Sequence, residues 1–79
     1  SSDLIGFTPI VITPEMVGRK MAVFTACEVK KTKWKYTATE REVAQLKFLD
    51  VVKMNGGIAL FANSIESYKK AIIDFIFMR

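Results

Sequence analysis

The order of its apolar segments constrains most strongly what this chain can fold into. Residues 19–31 form a long, largely apolar run typical of a strand, and a capping-box pattern at residues 39–42 opens a helix that runs to Met54. The sequence Asn-Gly-Gly at residues 55–57 ends that helix, and a short apolar strand follows at residues 58–62. A strand, a helix and a strand of these lengths favour a right-handed crossover, so we expect the two strands to be parallel neighbours.

Segments on either side complete the predicted fold. Residues 4–13 are rich in β-branched and aromatic side chains, and Pro9 restricts them to an irregular or edge strand. Residues 13–18 indicate a turn or a single helical turn. A second helix begins after residues 63–64, and its buried stripe is predicted to be Ile65, Tyr68, Ile72, Phe75 and Ile76. We therefore predict one α/β (α+β) domain over residues 1–79 with a mixed three-stranded sheet, in the order strand, strand, helix, strand, helix.

Composition excludes several kinds of site. The 79 residues include no histidine and one cysteine, so an internal disulfide, a Cys/His zinc site and a histidine-based triad are excluded. We interpret Cys27 as a packing residue. No apolar run approaches eighteen residues, so we expect a soluble protein with no membrane segment, and the cysteine usage fits a reduced, intracellular compartment. A core this small also favours support from an oligomer.

A polar pair interrupts the first long strand at its end. Glu28 and Lys30 project from the same face of an extended strand, roughly 6–7 Å apart. If the segment that opens with Asp3 pairs beside that strand, Asp3 and Glu28 supply two hard oxygen ligands for Mg²⁺ or Mn²⁺, and the peptide carbonyl of Val29 supplies a further one. This arrangement predicts a metal-dependent nuclease. The alternative is an ordinary solvated pair on an exposed strand.

Basic and aromatic residues alternate in the segment that follows. Lysines at positions 30, 31, 33 and 35 surround Trp34, and the net charge of the chain is +4. Lysines suit phosphates and aromatic rings suit base stacking, so we expect nucleic-acid contacts from Lys31, Lys33, Trp34 and Lys35. The alternative is a solvated tip whose lysines keep a sheet edge from pairing.

A glutamine stands on the otherwise apolar stripe of the first helix. Gln45, Leu49 and Val52 are spaced to lie in one row of that helix. A polar side chain at such a position needs a partner, and the start of this helix should lie near the strand end that carries Lys30. We therefore place Gln45 in the candidate site. The alternative is a glutamine on the helix surface.

Taken together, these residues resemble the VRR-NUC domain, a branch of the PD-(D/E)XK nuclease superfamily. Residues 2–6 resemble the first motif of the family, with Ser2 where proline is usual, and residues 28–30 resemble its E-x-K motif. Gln45, Phe48 and Leu49 resemble its Q-x-x-F-L helix signature, and residues 56–66 resemble the end of such domains. The resemblance covers nearly the whole chain.

The resemblance implies a metal-dependent, structure-specific DNA endonuclease. It implies Mg²⁺ or Mn²⁺ bound by Asp3, Glu28 and the Val29 carbonyl, with Lys30 and Gln45 in the active centre. Stand-alone phage-type members resemble Holliday-junction resolvases and act as homodimers on four-way junctions, which implies the cytoplasm of a bacterial host. The family generally has an earlier helix that donates a further glutamate, and this helix would precede residue 1.

Two other functions fit the same residues. One is a non-catalytic DNA-binding module that uses the basic loop at residues 30–35. The other is a dimeric structural protein whose interface is the apolar segment at residues 72–78. Metal dependence separates the nuclease from both, because neither alternative needs a divalent cation.

Overall fold

The computed structural model describes residues 4–77 of the chain. A short 3-10 helix at Pro14–Met16 is followed by strand β1 at Thr25–Val29, helix α1 at Glu40–Met54, strand β2 at Ile58–Ala62 and helix α2 at Ile65–Phe77. Strands β1 and β2 form a two-stranded parallel sheet, in which Thr25 lies opposite Ile58. The α/β class, the two helices and the parallel pairing are therefore confirmed.

The segment before β1 departs from the sequence-based expectation. Residues 4–13 contain no strand, and β1 begins at Thr25 instead of residue 19. Leu4 is 91% exposed and Val11 is 84% exposed, and Pro9 has no amide hydrogen for a ladder. The predicted first strand is wrong here because β propensity measures how a side chain packs in a half-buried sheet, and these side chains are not packed. The three-strand order is accordingly not confirmed.

Helix α1 begins and ends where local signals place it. The Thr39 side-chain oxygen accepts a hydrogen bond from the Glu42 amide at 3.2 Å, and the Glu42 carboxylate accepts one from the Thr39 amide at 2.9 Å. At the other end the Asn55 amide bonds back to the helix, and Gly56 follows with a φ of 87° in the left-handed region. The capping box and the glycine stop are both confirmed.

The core lies between α1 and one face of the sheet. Leu49 and Val52 pack with Ala59, and four partly buried residues surround them: Phe7, Phe24, Ala26 and Phe61. Every second residue of a strand lies on the same face, so one face carries residues 24, 26, 28 and 30. Helix α1 therefore covers the face that carries Glu28 and Lys30. The packing of the core thus fixes where the polar pair lies.

Helix α2 contacts β2 but buries less than its sequence predicts. Ile72 and Phe75 are partly buried, whereas Ile65 is 69% exposed and Tyr68 and Ile76 are also exposed. The predicted stripe is therefore wrong at these three positions, because two strands give too narrow a surface to cover a helix of this length. Within residues 4–77, neither helix is long and apolar enough to cross a bilayer.

Residues 4–23, which we call the N-terminal arm, run along the open side of the core. The Phe7 ring packs on Phe24 with centroids 4.9 Å apart. A broad groove of about 850 Å³ lies between the arm, the beginning of β1, the end of α1 and Phe75. The expected single helical turn is confirmed as the 3-10 helix at Pro14–Met16. The arm is thus attached to the core mainly by an aromatic contact.

Candidate functional site

The end of β1 presents different groups on its two sides. The Lys30 amide donates to the Ala62 carbonyl at 2.8 Å, so the backbone of residue 30 faces β2. In a parallel ladder the adjacent residue faces the other way, which places the Val29 carbonyl at the edge of β1 that does not face β2. The side chains of Glu28 and Lys30 point toward α1, and both are partly buried. One carbonyl and two charged side chains therefore meet at this strand end.

Gln45 joins the two charged side chains. The Lys30 ammonium donates to Gln45 Oε1 at 2.8 Å, and Gln45 Nε2 donates to Glu28 Oε1 at 2.8 Å. The amide thus accepts from the cation and donates to the carboxylate, which is the only orientation that satisfies both. We call these three residues the polar triad. The expectation that Gln45 has a partner near Lys30 is confirmed, and the surface-glutamine alternative is wrong.

A second carboxylate lies behind the polar triad. Glu42 is 6% exposed, and its carboxylate accepts hydrogen bonds from the Trp34 indole at 2.7 Å and from Thr37 and Thr39. The bond from the Thr39 amide is the main reason why the pKa of Glu42 falls from 4.5 to about 2, and Trp34 and Thr37 contribute. Sequence analysis identified only the capping role of Glu42, because no sequence signal links it to Trp34.

Aromatic rings surround the Lys30 ammonium. The Trp34 ring packs on Phe61 with centroids 4.9 Å apart, and Tyr36 meets both rings at 6.4 and 6.2 Å. The Lys30 nitrogen lies 5.4 Å from the Trp34 centroid and 5.5 Å from the Phe61 centroid, within the range of cation–π attraction. The ammonium is therefore held by the Gln45 amide and two ring faces together.

The basic loop lies outside these rings. A shallow groove of about 470 Å³ is lined by Val29, Lys30, Lys31, Lys33 and Trp34. The side chains of Lys31, Lys33 and Lys35 are exposed, and the Asn63 amide holds the loop by donating to the Thr32 carbonyl at 3.0 Å. Lys31 and Lys33 thus line a groove that also reaches Lys30 of the polar triad. Contact of Lys31, Lys33, Trp34 and Lys35 with DNA stays a prediction.

The metal ligands are only partly within the described residues. Asp3 lies outside them, and within residues 4–77 no three His, Cys, Asp or Glu side chains stand close enough to hold a metal. In the same range Glu28 Oε1 accepts from Gln45, and Glu28 Oε2 has no hydrogen bond. Two hard oxygen donors therefore fit Mg²⁺ or Mn²⁺, and a further ligand must come from outside residues 4–77.

Cys27 faces away from this site. Its thiol is partly buried, and burial, with a smaller effect of the Glu28 charge, raises the pKa of Cys27 above its usual 9.0. A thiol in that state is protonated near neutral pH and is a poor nucleophile. The packing interpretation of Cys27 agrees with this environment.

Comparison with known proteins adds no relative to this description. The chain matches no protein-family model, and neither curated proteins nor solved structures give a significant match. What the fold and the site define is a small α/β domain with a carboxylate, an amide and an ammonium at one end of a parallel strand pair. The resemblance to the VRR-NUC domain rests on the residues named in the sequence analysis.

Proposed function

We propose that this chain is a metal-dependent DNA endonuclease of the VRR-NUC type. The observation that carries the proposal is the polar triad, in which Gln45 bridges Glu28 and Lys30 with two hydrogen bonds of 2.8 Å. An isolated surface pair would not need a third side chain from another element to orient it. Its position beside a lysine-lined groove favours an anionic substrate.

Each residue of the polar triad has a chemical role in this proposal. Glu28, the Val29 carbonyl and Asp3 would hold Mg²⁺ or Mn²⁺. When bound, the cation supplies an acidic water and charge for the crowded phosphate. Gln45 keeps the Lys30 ammonium turned toward Glu28. Lys30 then neutralises a phosphate oxygen or orients the attacking water, since both tasks need a donor at that position.

The proposed substrate is branched DNA, and the proposed enzyme is a homodimer. The phosphate-contacting groups are Lys31, Lys33 and Lys35, and the exposed apolar end of α2 is the proposed dimer surface. The preference for four-way junctions rests on the family resemblance.

The test is cleavage of a labelled four-way junction and a matched linear duplex in Mn²⁺, using the full natural chain. Glu28→Gln and Lys30→Met should each lower kcat at least about 100-fold, because they remove groups that act on the reacting phosphate. Lys70→Met is the matched control. It removes one positive charge from an exposed α2 pair with Asp74, and it should leave the rate unchanged.

Each alternative outcome has a definite reading. Full activity in excess chelator contradicts the proposal. Tight junction binding without cleavage in Mn²⁺ or Mg²⁺ favours the non-catalytic DNA-binding module. Equal cutting of junction and duplex removes the junction specificity, and a monomeric mass in dilute solution removes the symmetric two-nick mechanism while single nicks remain. Neither binding nor cleavage, together with a dimeric mass, favours the structural protein.

A further inference from the structure

We infer that Trp34, held in place by the buried carboxylate of Glu42, is a positioning residue for the Lys30 ammonium. The inference rests on the proposed function in one respect only, namely that Lys30 acts on the phosphate. It assigns Trp34 a place inside the site, in contrast to the stacking of bases expected from the sequence. Glu42, which is on α1 and outside the polar triad, becomes part of the same assembly.

Glu42 is the fixed end of this assembly. It is the one buried charged residue that the structure shows within residues 4–77. Its two carboxylate oxygens have different partners. Oε1 accepts hydrogen bonds from Thr37 and Thr39, and Oε2 accepts one from the Trp34 indole at 2.7 Å. A buried carboxylate costs free energy unless its bonds are made, so losing the indole partner would be unfavourable. The indole ring is therefore fixed in direction as well as in place.

Trp34 in turn restrains the side chain of Lys30. One side of the indole ring packs on Phe61, and the ring centroid lies 5.4 Å from the Lys30 nitrogen. A lysine side chain has several rotatable bonds, and the Gln45 bond restrains only its tip. The Trp34 and Phe61 rings also contact this tip, which leaves the ammonium bonded to Gln45. A Trp34 ring already packed on Phe61 has less surface left for a DNA base.

The first test measures the Lys30 side chain without any nucleic acid. Each lysine is acetylated with a hydroxysuccinimide ester, and its rate is read by mass spectrometry relative to Lys70, which is exposed on α2. Trp34→Leu and Glu42→Gln should raise the Lys30 rate about two- to fivefold, the factor expected from losing a cation–π contact. Trp34→Phe keeps a ring without the indole donor and should fall between wild type and Trp34→Leu.

Folding of each variant is checked by circular dichroism. For Glu42→Gln, the fluorescence of the single tryptophan should also shift, because its indole partner has changed. If Glu42→Gln does not fold, the two Trp34 variants decide the test. An unchanged Lys30 rate in folded Trp34→Leu overturns the inference.

The second test separates positioning from DNA contact. Trp34→Leu should lower kcat about fivefold and leave KM for the junction unchanged, whereas Lys33→Met should raise KM and leave kcat unchanged. A raised KM and weaker junction binding in Trp34→Leu, with kcat unchanged, would mean that the ring contacts DNA and would overturn the inference. If wild type cleaves no DNA, the proposed function fails, and the acetylation rates still decide whether Trp34 and Glu42 hold Lys30.

Discussion

The α1 side of the molecule and the N-terminal arm are organised in opposite ways. On the α1 side, charged and polar side chains at half-buried positions are bonded to one another, as in the polar triad and around Glu42. The arm instead exposes large apolar side chains and contacts the core through Phe7. Within residues 4–77 no buried side-chain nitrogen or oxygen lacks a partner. The α1 side, in which the polar side chains are bonded to one another, is therefore also the side that holds the candidate site.

The same contrast extends to the charged and the large apolar side chains of the two regions. The α1 side holds the carboxylate and the ammonium of the polar triad in place through Gln45. The arm and α2 instead expose several large apolar side chains, with Leu4, Ile5 and Phe77 as examples. The proposed dimer would cover part of this surface. If stability resides in the α1 side, substitutions there should cost more than substitutions in the arm.

The largest expected effect comes from the core. Leu49→Ala should lower the free energy of unfolding by about 2–5 kcal/mol, because it leaves a cavity where a fully buried side chain was. Ile12→Ala, on the arm, is the control; Ile12 is 71% exposed, and its truncation should cost less than about 0.5 kcal/mol. Urea unfolding of both variants measures the difference. Comparable losses would show that the arm is packed in solution, which contradicts the comparison drawn above.

A smaller effect is expected at the turn between α1 and β2. A Cβ at Gly57 would lie 2.6 Å from the Val52 side chain and 2.7 Å from the Phe24 carbonyl oxygen. Gly57→Ala should therefore cost about 1–3 kcal/mol through overpacking. Gly6→Ala on the arm meets nothing within 4 Å and is the matched control. Thermal unfolding checks both, and an unchanged Tm for Gly57→Ala would mean that α1 and β2 move apart easily.

The smallest expected effect is a loss of thermal stability at low pH. The pKa of Glu42 is about 2 in the folded chain against a usual 4.5, so folding favours the ionised carboxylate. Its stabilising contribution is complete above pH 4.5 and is lost as the pH falls toward 2. Wild type should thus lose a few degrees of Tm more than Glu42→Gln over that interval, because only wild type has a carboxylate to protonate there. If the Tm values of wild type and of Glu42→Gln fell equally with pH, the hydrogen bonds of Glu42 would not be formed in solution.

Local signals explain why half of this structure was predictable from sequence. The capping box at Thr39, the stop at Gly56 and the apolar run of β2 act over a few residues. They therefore predicted α1, β2 and the parallel pairing of β2 with β1. The helical row that contains Gln45 and Leu49 then predicted a partner near Lys30. All of these depend on short-range spacing, which the sequence shows directly.

The remaining features depend on contacts that the sequence does not mark. The bond from Trp34 to Glu42 joins the basic loop to α1, and neither residue type requires the other. The arm was predicted as a strand because its residues suit a sheet, but a neighbouring strand must be present before that preference has an effect. The exposure of Ile65 and Ile76 on α2 follows from the width of the sheet, which is a property of the whole fold.

The parallel pairing of β1 and β2 has a consequence for how this protein acquires its chemistry. Thr25 pairs with Ile58 across the entire length of α1, and the triad bonds span 15 and 17 residues of chain. Contacts of such long sequence separation form slowly, after local helices and turns. We expect the triad to assemble only in the final cooperative step of folding. A newly synthesised chain that has not yet released β2 from the ribosome would then lack an ordered triad.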